Sequence, residues 1–259
     1  MEGLTLAQVP IVTPVETRAD STARRPALRG LPHEDVERRL IQIRAANTHG
    51  QRSSASILIN RMYSWRGYET SPLPDQSPPS RLTLMAHDHD ETVGTITVGF
   101  DQGEGLYVDD LFTQEVNALR DAGHRLCEFT KLAMDTALQS KHVLASLFHT
   151  AYLYAHRVMD YDRLLIEVNP RHVAYYRRML GFQVLGPARL NRRVNAPAVL
   201  LCLDLSHSRA QIAKLGGLQE AAVGERSLYP YFFSPREEAG VIGRMVGSLP
   251  RPADQPLAA

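Results

Sequence analysis

The order of strand-like and helix-like segments along the 259 residues predicts an α/β sandwich, with a central mixed sheet flanked by helices. Two runs with strand periodicity, at 81–88 and 91–100, are separated by a short turn and predict a hairpin. The apolar run at 164–168 predicts a buried strand. The chain then continues in the order helix, strand, strand, which is typical of a sheet covered by helices.

The two ends of the chain differ in composition from its middle. Residues 1–33 are rich in Pro, Thr, Ala and Arg without sustained periodicity, so we expect a flexible N-terminal tail. The folded domain is expected over 34–210, beginning with a strand and a helix before a Pro/Ser loop at 71–80. Residues 211–259 are expected to form a partly helical, partly irregular C-terminal extension, with irregular structure past about 222.

Four elements are predicted between the hairpin and the extension. A helix is expected near 113–121, with Thr113 as its N-cap. A central strand is expected over 125–133, followed by a long helix over 134–159. The apolar run at 198–206 predicts a late strand in the same sheet.

Composition excludes several classes of function. A net charge of +1 argues against a protein that binds nucleic acid through bulk charge. The chain has no apolar run of membrane-spanning length, so we expect a cytoplasmic protein without a membrane span. Cys127 and Cys202 lie in apolar runs and are expected to be free thiols. The sequence His-Asp-His-Asp at 87–90 fits a solvated turn better than a metal site, so no metal is predicted.

One segment, LLIEVNPRHVAYYRRMLGF at 164–182, combines a strand, a helix and the start of another strand. Asn169 and Pro170 end the strand because proline lacks the N–H that a sheet needs, and Gly181 ends the helix. This unit resembles the C-terminal half of the GCN5-related N-acyltransferase (GNAT) fold. The resemblance implies that the segment packs beside an acyl thioester and that the protein transfers acyl groups to amines.

The acid Glu128 interrupts the apolar strand Leu126-Cys127-Glu128-Phe129-Thr130. A buried carboxylate must be paired, solvated in a cleft, or shifted toward its neutral form. A carboxyl group in such surroundings is a candidate general base, and pairing with a nearby Arg or Lys is the structural alternative. Lys131 would face the same cleft as Glu128 only if the strand carries a bulge between them.

The stretch LYVDDLFTQEVNALRDAGHRLCEFTKLAMD at 106–135 resembles the centre of the N-acyl amino acid synthases, which are related to the acyl-homoserine lactone synthases. The shared pattern, Glu-x-Ser/Thr-Arg/Lys-h-Ala-h-Asp, is met here by Glu128, Thr130, Lys131, Ala133 and Asp135. The resemblance covers about 36–206. It implies transfer of a fatty acyl group from the phosphopantetheine of acyl carrier protein to the α-amine of a free amino acid.

The segment after the predicted central strand indicates which acyl donor the protein uses. Acetyltransferases of this fold hold the coenzyme A pyrophosphate with a glycine-rich loop at a helix N-terminus. Residues 133–145 contain no glycine, which favours acyl carrier protein over acyl-CoA as the source of the acyl-phosphopantetheine thioester. No permanently bound cofactor is expected.

The resemblance implies roles for residues of the reaction site. Glu128 would deprotonate the ammonium group, Thr130 and Lys131 would contact the substrates, and strand N–H groups near 128–131 would hold the oxyanion. Tyr176, or its neighbour Tyr175, would protonate the leaving thiolate, with helix packing as the alternative.

Further substrate-binding residues are expected on both sides of the sheet. Arg61 or Arg66 would clamp the amino acid carboxylate beside an aromatic wall formed by Trp65, unless these are a surface arginine and a core-edge tryptophan. Asn169 is also expected to bind substrate, because it ends the strand that lies beside the expected thioester.

An acidic carrier protein needs a basic surface on its partner. The arginines proposed for that surface, with ordinary solvated charge as the alternative, are Arg177, Arg178, Arg192 and Arg193. Two other functions stay open. One is an acyl-homoserine lactone-type synthase with S-adenosylmethionine as acceptor, and the other is a module that binds carrier protein without catalysis.

Overall fold

The computed structural model describes residues 11–16, 38–136, 140–220 and 223–247. A nine-stranded sheet runs through this part of the chain in the order β1-β2-β3-β4-β5-β6-β9-β7, and β8 pairs with β9 beside it. Neighbours pair antiparallel except for β5 and β6, which are parallel. The strands are β1 (Ile11–Glu16), β2 (Arg38–Ala45), β3 (Arg81–Asp88), β4 (Glu91–Phe100), β5 (Leu126–Met134), β6 (Arg163–Val168), β7 (Gln183–Val184), β8 (Arg189–Asn191) and β9 (Ala196–Asp204).

Helices cover both faces of the sheet, as the predicted sandwich requires. They are α1 (His49–Ser64), α2 (Asp109–Asp121), α3 (Lys141–Tyr152), α4 (Val173–Leu180), α5 (Leu205–Leu215) and α6 (Pro235–Gly247). Side chains of α1 and α2 pack on one face, against Met85, Leu126 and Leu165 among others. The opposite face, which includes Cys127 and Leu164, belongs to the main core with α3 to α6. This two-sided arrangement confirms the predicted fold class.

The alternation of side chains along β5 determines which of its residues pack against the helices on each face of the sheet. Leu126 joins the cluster under α2, whereas Cys127 and Phe129 join the main core on the α3 face. Because successive side chains of a strand point to opposite faces, Glu128 lies on the α2 face. In β6, Leu165 lies on the α2 face as well, and Leu164 and Ile166 face the main core.

Predictions for the strands at the centre of the sheet are confirmed. Strands β3 and β4 occupy 81–88 and 91–100, and β5 covers the predicted central strand with a shift of one residue. The N-terminal prediction is wrong for Ile11–Glu16, which forms β1 and pairs antiparallel with β2. The remaining residues of the predicted tail, up to 33, lie outside the described residues.

Three helical predictions need correction. Helix α2 begins at Asp109, not near Thr113, and the Thr113 hydroxyl donates to the Asp109 carbonyl at 2.6 Å instead of capping. The long helix expected from residue 134 begins only at Lys141, because β5 continues to Met134 and Ser140 provides the N-cap.

That helix ends in a π-helical turn, Leu153–Val158, which packs against α6. The region past 222 is also more regular than predicted. Arg157 in the π-turn donates to Glu238 of α6 at 2.5 Å, which fixes the helix to the core. Helix α6 therefore belongs to the folded structure.

The segment 164–182 folds as predicted. Strand β6 leads into a 3-10 turn at Pro170–His172, which the Asn169 side chain caps by accepting from the Arg171 N–H at 3.2 Å. Gly181 ends α4 with φ of +85°, a left-handed conformation that glycine adopts without the steric cost of a Cβ.

Cys127 and Cys202 are free thiols, as predicted, and burial raises the pKa of Cys202 to about 11. No helix among the described residues is long and apolar enough to cross a membrane. Within the same residues, no group of three or more His, Cys, Asp or Glu side chains is arranged to hold a metal ion.

Candidate active site

The parallel strands β5 and β6 are paired at three positions and then separate. The gap beyond the last pair is the centre of the candidate site. Their register runs from Leu126 and Arg163 to Glu128 and Leu165, although both strands continue further. We call the gap beyond Glu128 and Leu165 the strand cleft. Unpaired strand edges at such a gap are available to a ligand, because their N–H and C=O groups no longer bond to each other.

A bulge in β5 accompanies the parting. Thr97 pairs with Thr130 and Thr95 pairs with Ala133, so two residues of β5 lie opposite one residue of β4. Lys131 occupies the bulge with φ of +51°, a conformation that non-glycine residues rarely adopt. The sequence argument required a bulge between Glu128 and Lys131, and the structure has one that begins at Lys131 itself, immediately after Thr130.

The Glu128 carboxylate is fully buried and bonded by three donors. Arg81 Nη1 donates to Oε1 at 2.6 Å, the Tyr107 N–H donates to the same oxygen at 2.9 Å, and the Val108 N–H donates to Oε2 at 3.1 Å. Hydrogen bonds to the charged form and a neighbouring guanidinium both stabilise a carboxylate anion. Tyr107 and Val108 immediately precede α2, so Glu128 also anchors the start of that helix.

The residues around this ion pair leave no room for a larger side chain. The Arg81 guanidinium lies 3.6 Å from the centre of the Tyr107 ring. A Cβ added to Gly99 would lie 2.6 Å from Arg81 Nη1 and 2.9 Å from Glu128 Oε1. Of the two sequence-based alternatives for Glu128, the structure shows the carboxylate that is paired with an arginine, Arg81.

A second acid, Glu167, lies on the same face of β6, two residues beyond the rung that joins Glu128 to Leu165. Asn191 Nδ2 and Arg193 Nη2 each donate to its Oε2 at 2.6 Å. Its other oxygen, Oε1, is buried and has no hydrogen-bond partner among the described residues. Burial raises the pKa of Glu167 to about 7 although Arg193 opposes the shift, and the Glu128 charge adds to the rise.

Arg193 connects these groups. Besides Glu167, its guanidinium donates to Asp110 Oδ2 at 2.6 Å and to the Tyr107 carbonyl at 2.5 Å. Three internal partners hold this exposed side chain against the start of α2 and against Glu167. Arg193 therefore supports Glu167, and its place in a carrier-protein docking surface remains a prediction.

Thr130 and Lys131 provide two further polar groups at the strand cleft. The buried Thr130 hydroxyl has no hydrogen-bond partner within the described ranges. Lys131 is partly buried, and burial lowers the pKa of its ammonium group, with smaller contributions from Arg81 and Arg52. Its Nζ has no ion-pair partner in the part of the chain that the structure describes.

Tyr176 lies on α4 among other rings. Its ring centre is 6.4 Å from Phe148 of α3 and 5.8 Å from Phe182. Burial raises the pKa of Tyr176, and its coupling to Tyr63 of α1 raises it further, so the phenol keeps its proton. Tyr176 therefore has one neighbour on α3, on one face of the sheet, and another on α1, on the other face.

The three residues at the end of α1 that were expected to bind the acceptor amino acid differ in their surroundings. Arg61 forms an ion pair with Asp135 at the end of β5, so its guanidinium has a partner already. Trp65 is 71% exposed, which rules out the alternative of a core-edge tryptophan. The Arg66 guanidinium lies 5.3 Å from the Trp65 ring and lowers the pKa of His172, which places it near the start of α4.

An arginine–tyrosine contact and a tyrosine–tyrosine contact connect the turn before α4 to α1 and to the loop that follows α1. Arg171 donates to the Tyr68 hydroxyl at 2.9 Å, and the Tyr68 ring lies 6.0 Å from Tyr63. Asn169 holds the Arg171 N–H, so it supports this connection. Substrate binding by Arg66, Trp65 and Asn169 remains a prediction.

The arginines at the other expected docking positions are exposed. Arg177 and Arg178 lie on α4 next to Tyr176, and Arg192 lies in the turn after β8. None of the three has an acidic partner within the described residues.

Sequence reasoning missed Glu167, although a signal was present. It is an acid in the apolar run Leu164-Leu165-Ile166-Glu167-Val168, the same pattern that drew attention to Glu128. Its partners Asn191 and Arg193 are more than twenty residues away in the chain, so their contact with it follows only from the fold.

Comparison with known proteins assigns the family. The model of the N-acyl amino acid synthase FeeM family matches residues 54–204, which is more than half of the chain. The structure of FeeM, an N-acyl amino acid synthase from uncultured soil microbes, is similar with a TM-score of 0.60 and 28% identity. That match covers 66% of this chain and 94% of FeeM. No curated protein sequence matches the chain.

Two more distant structures are also similar. The acetyltransferase of the GNAT family from Streptococcus pneumoniae has 14% identity and a TM-score of 0.45, over 63% of this chain and 98% of the other. The AHL synthase LasI has 14% identity and a TM-score of 0.46, over 64% of this chain and 89% of its own.

The strand cleft and its acids lie within the residues that the family model matches. The chain therefore belongs to the FeeM N-acyl amino acid synthase family and is an acyltransferase with the GNAT fold.

Proposed function

We propose that the chain transfers a fatty acyl group from the phosphopantetheine thioester of acyl carrier protein to the α-amine of a free amino acid. The observation that carries this proposal is the buried Oε1 of Glu167, which has no hydrogen-bond partner among the described residues and lies on β6 beyond the last residue that pairs with β5. A cleft between unpaired strands accommodates the thioester arm, and the acid accepts the proton of the incoming amine.

The acceptor enters as an ammonium group and must lose a proton before it can attack. Glu167 accepts that proton, directly or through one water molecule, because a carboxylate with a pKa of about 7 is an effective base at neutral pH. Asn191 and Arg193 hold its Oε2 and direct Oε1 away from themselves. Thr130 and Lys131 are placed to bind the polar end of the amino acid.

The neutral amine attacks the thioester carbonyl, and the C–S bond then breaks. Tyr176 gives its proton to the departing thiolate and regains one from the nitrogen that becomes the amide. Burial favours this role, since it keeps the phenol protonated until the thiolate forms. Unpaired N–H groups of β5 beyond Glu128 are suited to stabilise the oxyanion of the tetrahedral intermediate.

Glu128 acts as a positioning residue in this mechanism, not as the base expected from the sequence. Its carboxylate fixes Arg81 and the N–H groups of Tyr107 and Val108, and so holds the start of α2 against β5. Arg193 in turn bonds to the Tyr107 carbonyl and to Glu167. Glu128 therefore influences Glu167 through both structure and charge.

Two features support a carrier protein as donor and a reaction in the cytoplasm, where carrier proteins are loaded. Ser140 caps α3 by accepting from the His142 N–H, and residues 133–145 lack the glycines of a pyrophosphate loop. Arg177 and Arg178 present positive charge next to Tyr176, as an acidic partner requires.

The lipids of a host that expresses the chain test the proposed function. Mass spectrometry of the extract should detect N-acyl amino acids that are absent from a host expressing the Glu167→Gln variant. Acyl lactones in the extract would assign the chain to lactone synthesis, and an unchanged lipid profile would favour a module that binds without catalysis.

A further inference from the structure

Helix α4, which carries Tyr176, depends on contacts from other parts of the chain. It has 8 residues, and a helix of this length is marginal in water without tertiary packing. The carbonyls of the last turn of a helix have no partners within the helix. Met179 and Leu180 at this end of α4 are buried, so their carbonyls need donors from elsewhere in the protein.

Residues 228–233, which we call the C-terminal segment, provide both donors. The Leu228 N–H donates to the Met179 carbonyl at 2.9 Å. The Tyr229 hydroxyl donates to the Leu180 carbonyl at 2.7 Å. The backbone of one residue and the side chain of the next therefore cap the end of α4.

A second partner fixes the direction of the Tyr229 hydroxyl. Its oxygen lies 3.2 Å from the Ser208 hydroxyl of α5, and Ser208 is the donor there because the phenol proton goes to Leu180. Tyr229 is 2% exposed, and its ring centre lies 5.2 Å from that of Phe232. Burial raises the pKa of Tyr229 to about 12, so the hydroxyl keeps the proton that it donates to α4.

The C-terminal segment is itself fixed to the core. The Phe233 N–H donates to Nδ1 of the buried His149 of α3 at 2.9 Å, and the Gly217 N–H donates to the Phe232 carbonyl at 2.9 Å. The His149 ring stacks on Phe232 and Phe233, with 4.8 Å and 4.7 Å between ring centres. The segment therefore holds the end of α4 in a defined position relative to α3 and to the chain after α5.

These contacts with α4 come from outside the region that assigned the family. Ser208, Leu228 and Tyr229 all follow residue 204, where the match to the family model ends. The family assignment therefore gives the C-terminal segment no role, and a role has to follow from its contacts in this chain.

We propose that Tyr229 is a positioning residue for acyl transfer, because its hydroxyl holds the last turn of α4 and thereby keeps the Tyr176 phenol beside the leaving thiolate. This inference rests on the proposed function, in which Tyr176 protonates that thiolate. Leu180, which accepts from Tyr229, is one helical turn beyond Tyr176. A general acid acts only within hydrogen-bond reach of the leaving group, so a shift of α4 slows the chemical step and leaves binding of the amino acid unchanged.

The matched pair Tyr229→Phe and Tyr231→Phe tests this role. Each change removes one hydroxyl from the C-terminal segment and keeps the ring, but the Tyr231 ring contacts His142 and Lys141 of α3 and not α4. Tyr229→Phe should lower kcat by about tenfold at an unchanged KM for the amino acid. Tyr231→Phe should retain both wild-type values, and steady-state assays with acyl carrier protein as donor measure them.

A double-mutant cycle with Tyr176→Phe separates positioning from a general loss of structure. If Tyr229 acts through Tyr176, Tyr229→Phe should change kcat by less than about twofold in an enzyme that already carries Tyr176→Phe. Effects that multiply in the double variant would overturn the inference, and so would a Tyr229→Phe enzyme with the kcat of the wild type. Thermal denaturation establishes that the variants fold, and Ser208→Ala, which removes the donor to the Tyr229 oxygen, replaces Tyr229→Phe in the cycle if that variant does not.

If the wild type forms no product with acyl carrier protein or acyl-CoA, the proposed function fails instead. Hydrogen exchange of the α4 amides then still tests the contact that the inference requires. Exchange should be faster in Tyr229→Phe than in Tyr231→Phe, because only the first change removes a bond to α4. Equal exchange rates in the two variants would overturn the inference.

Discussion

Glu128 and Glu167 lie on the same face of two neighbouring parallel strands, yet their carboxylates are in opposite situations. Glu128 accepts from Arg81 and two backbone N–H groups, whereas Glu167 leaves one buried oxygen without a partner among the described residues. Two acids with such different surroundings are suited to different tasks in a site, since one is occupied by three donors and the other has an oxygen that can accept a proton. This contrast is the basis of our proposal that Glu128 has a structural role and that Glu167 transfers the proton.

The substitution Glu167→Gln removes the proposed proton acceptor but keeps a side chain that Asn191 and Arg193 can contact. We expect kcat/KM to fall by about a hundredfold or more, the usual contribution of a general base. In the wild type, kcat/KM should rise as the pH increases through about 7, because the carboxylate form is the active one. The variant should lack that rise, and steady-state assays across the pH range measure both effects.

Glu69→Gln, at an exposed position of the loop after α1, is the matched control and should retain the activity and pH profile of the wild type. A Glu167→Gln enzyme with a normal pH profile would remove Glu167 from proton transfer.

The raised pKa of Glu167 also affects stability. The folded state holds the proton more tightly than the unfolded state, whose ordinary value is 4.5, so its contribution is complete below that pH and is lost as the pH rises to about 7. The loss amounts to at most about 3 kcal/mol. Urea denaturation at several pH values should show this decline in the wild type and a smaller one in Glu167→Gln. Parallel pH dependences for the two proteins would contradict the assignment.

Removal of Glu128 should destabilise the fold. In Glu128→Ala, Arg81 and the N–H groups of Tyr107 and Val108 lose a buried partner, which costs about 3–5 kcal/mol in the free energy of unfolding. Arg61→Ala breaks a solvent-exposed ion pair and should cost less than about 1 kcal/mol. Urea denaturation measures the free energies of unfolding of the two variants and of the wild type.

A Glu128→Gln variant that is as stable as the wild type, but inactive and without the rise of kcat/KM near pH 7, would return the role of base to Glu128.

The phenol of Tyr176 is expected to protonate the leaving thiolate. Tyr176→Phe keeps the ring packing with Phe148 and Phe182 and removes the proton, so kcat should fall by about tenfold to a hundredfold at unchanged stability. Tyr175→Phe on the same helix is the control and should have little effect. Equal activities of the two variants would leave Tyr176 with a packing role alone.

The exposed arginines of α4 are expected to contact the carrier protein. The double reversal Arg177→Glu and Arg178→Glu should raise KM for acyl carrier protein about tenfold or more, with the largest difference at low salt. The same variant should use a short acyl-pantetheine thioester as well as the wild type does. The double reversal Arg236→Glu and Arg244→Glu at exposed positions of α6 makes the same change in net charge. Equal effects of the two double variants would exclude this docking surface.

Local patterns in the sequence were sufficient to predict much of the sheet. Strands β3 and β4 and the segment 164–182 depend on alternation, on Asn169-Pro170 and on a glycine in the left-handed conformation, all of which are visible in the sequence. Strand β1 was not predictable in this way, because its six residues form a strand through pairing with β2 and carry little periodicity of their own.

The partners of the candidate site depend on distant contacts. Arg81 and Glu128 are 47 residues apart, and no spacing rule joins them. The same is true of Arg193, which sequence reasoning placed on a docking surface and the fold places against Glu167 and Asp110. The family motif drew attention to Glu128 on β5, whereas the oxygen of Glu167 on β6 that has no hydrogen-bond partner among the described residues is visible only in the structure.

The most direct test of the account combines the purified chain with acyl carrier protein carrying a fatty acyl group and a mixture of free amino acids. Mass spectrometry should detect an N-acyl amino acid in the wild-type reaction, much less with Glu167→Gln, and less when acyl-CoA replaces the carrier protein. Absence of any N-acyl amino acid with both donors, from a folded protein, would contradict the proposed function.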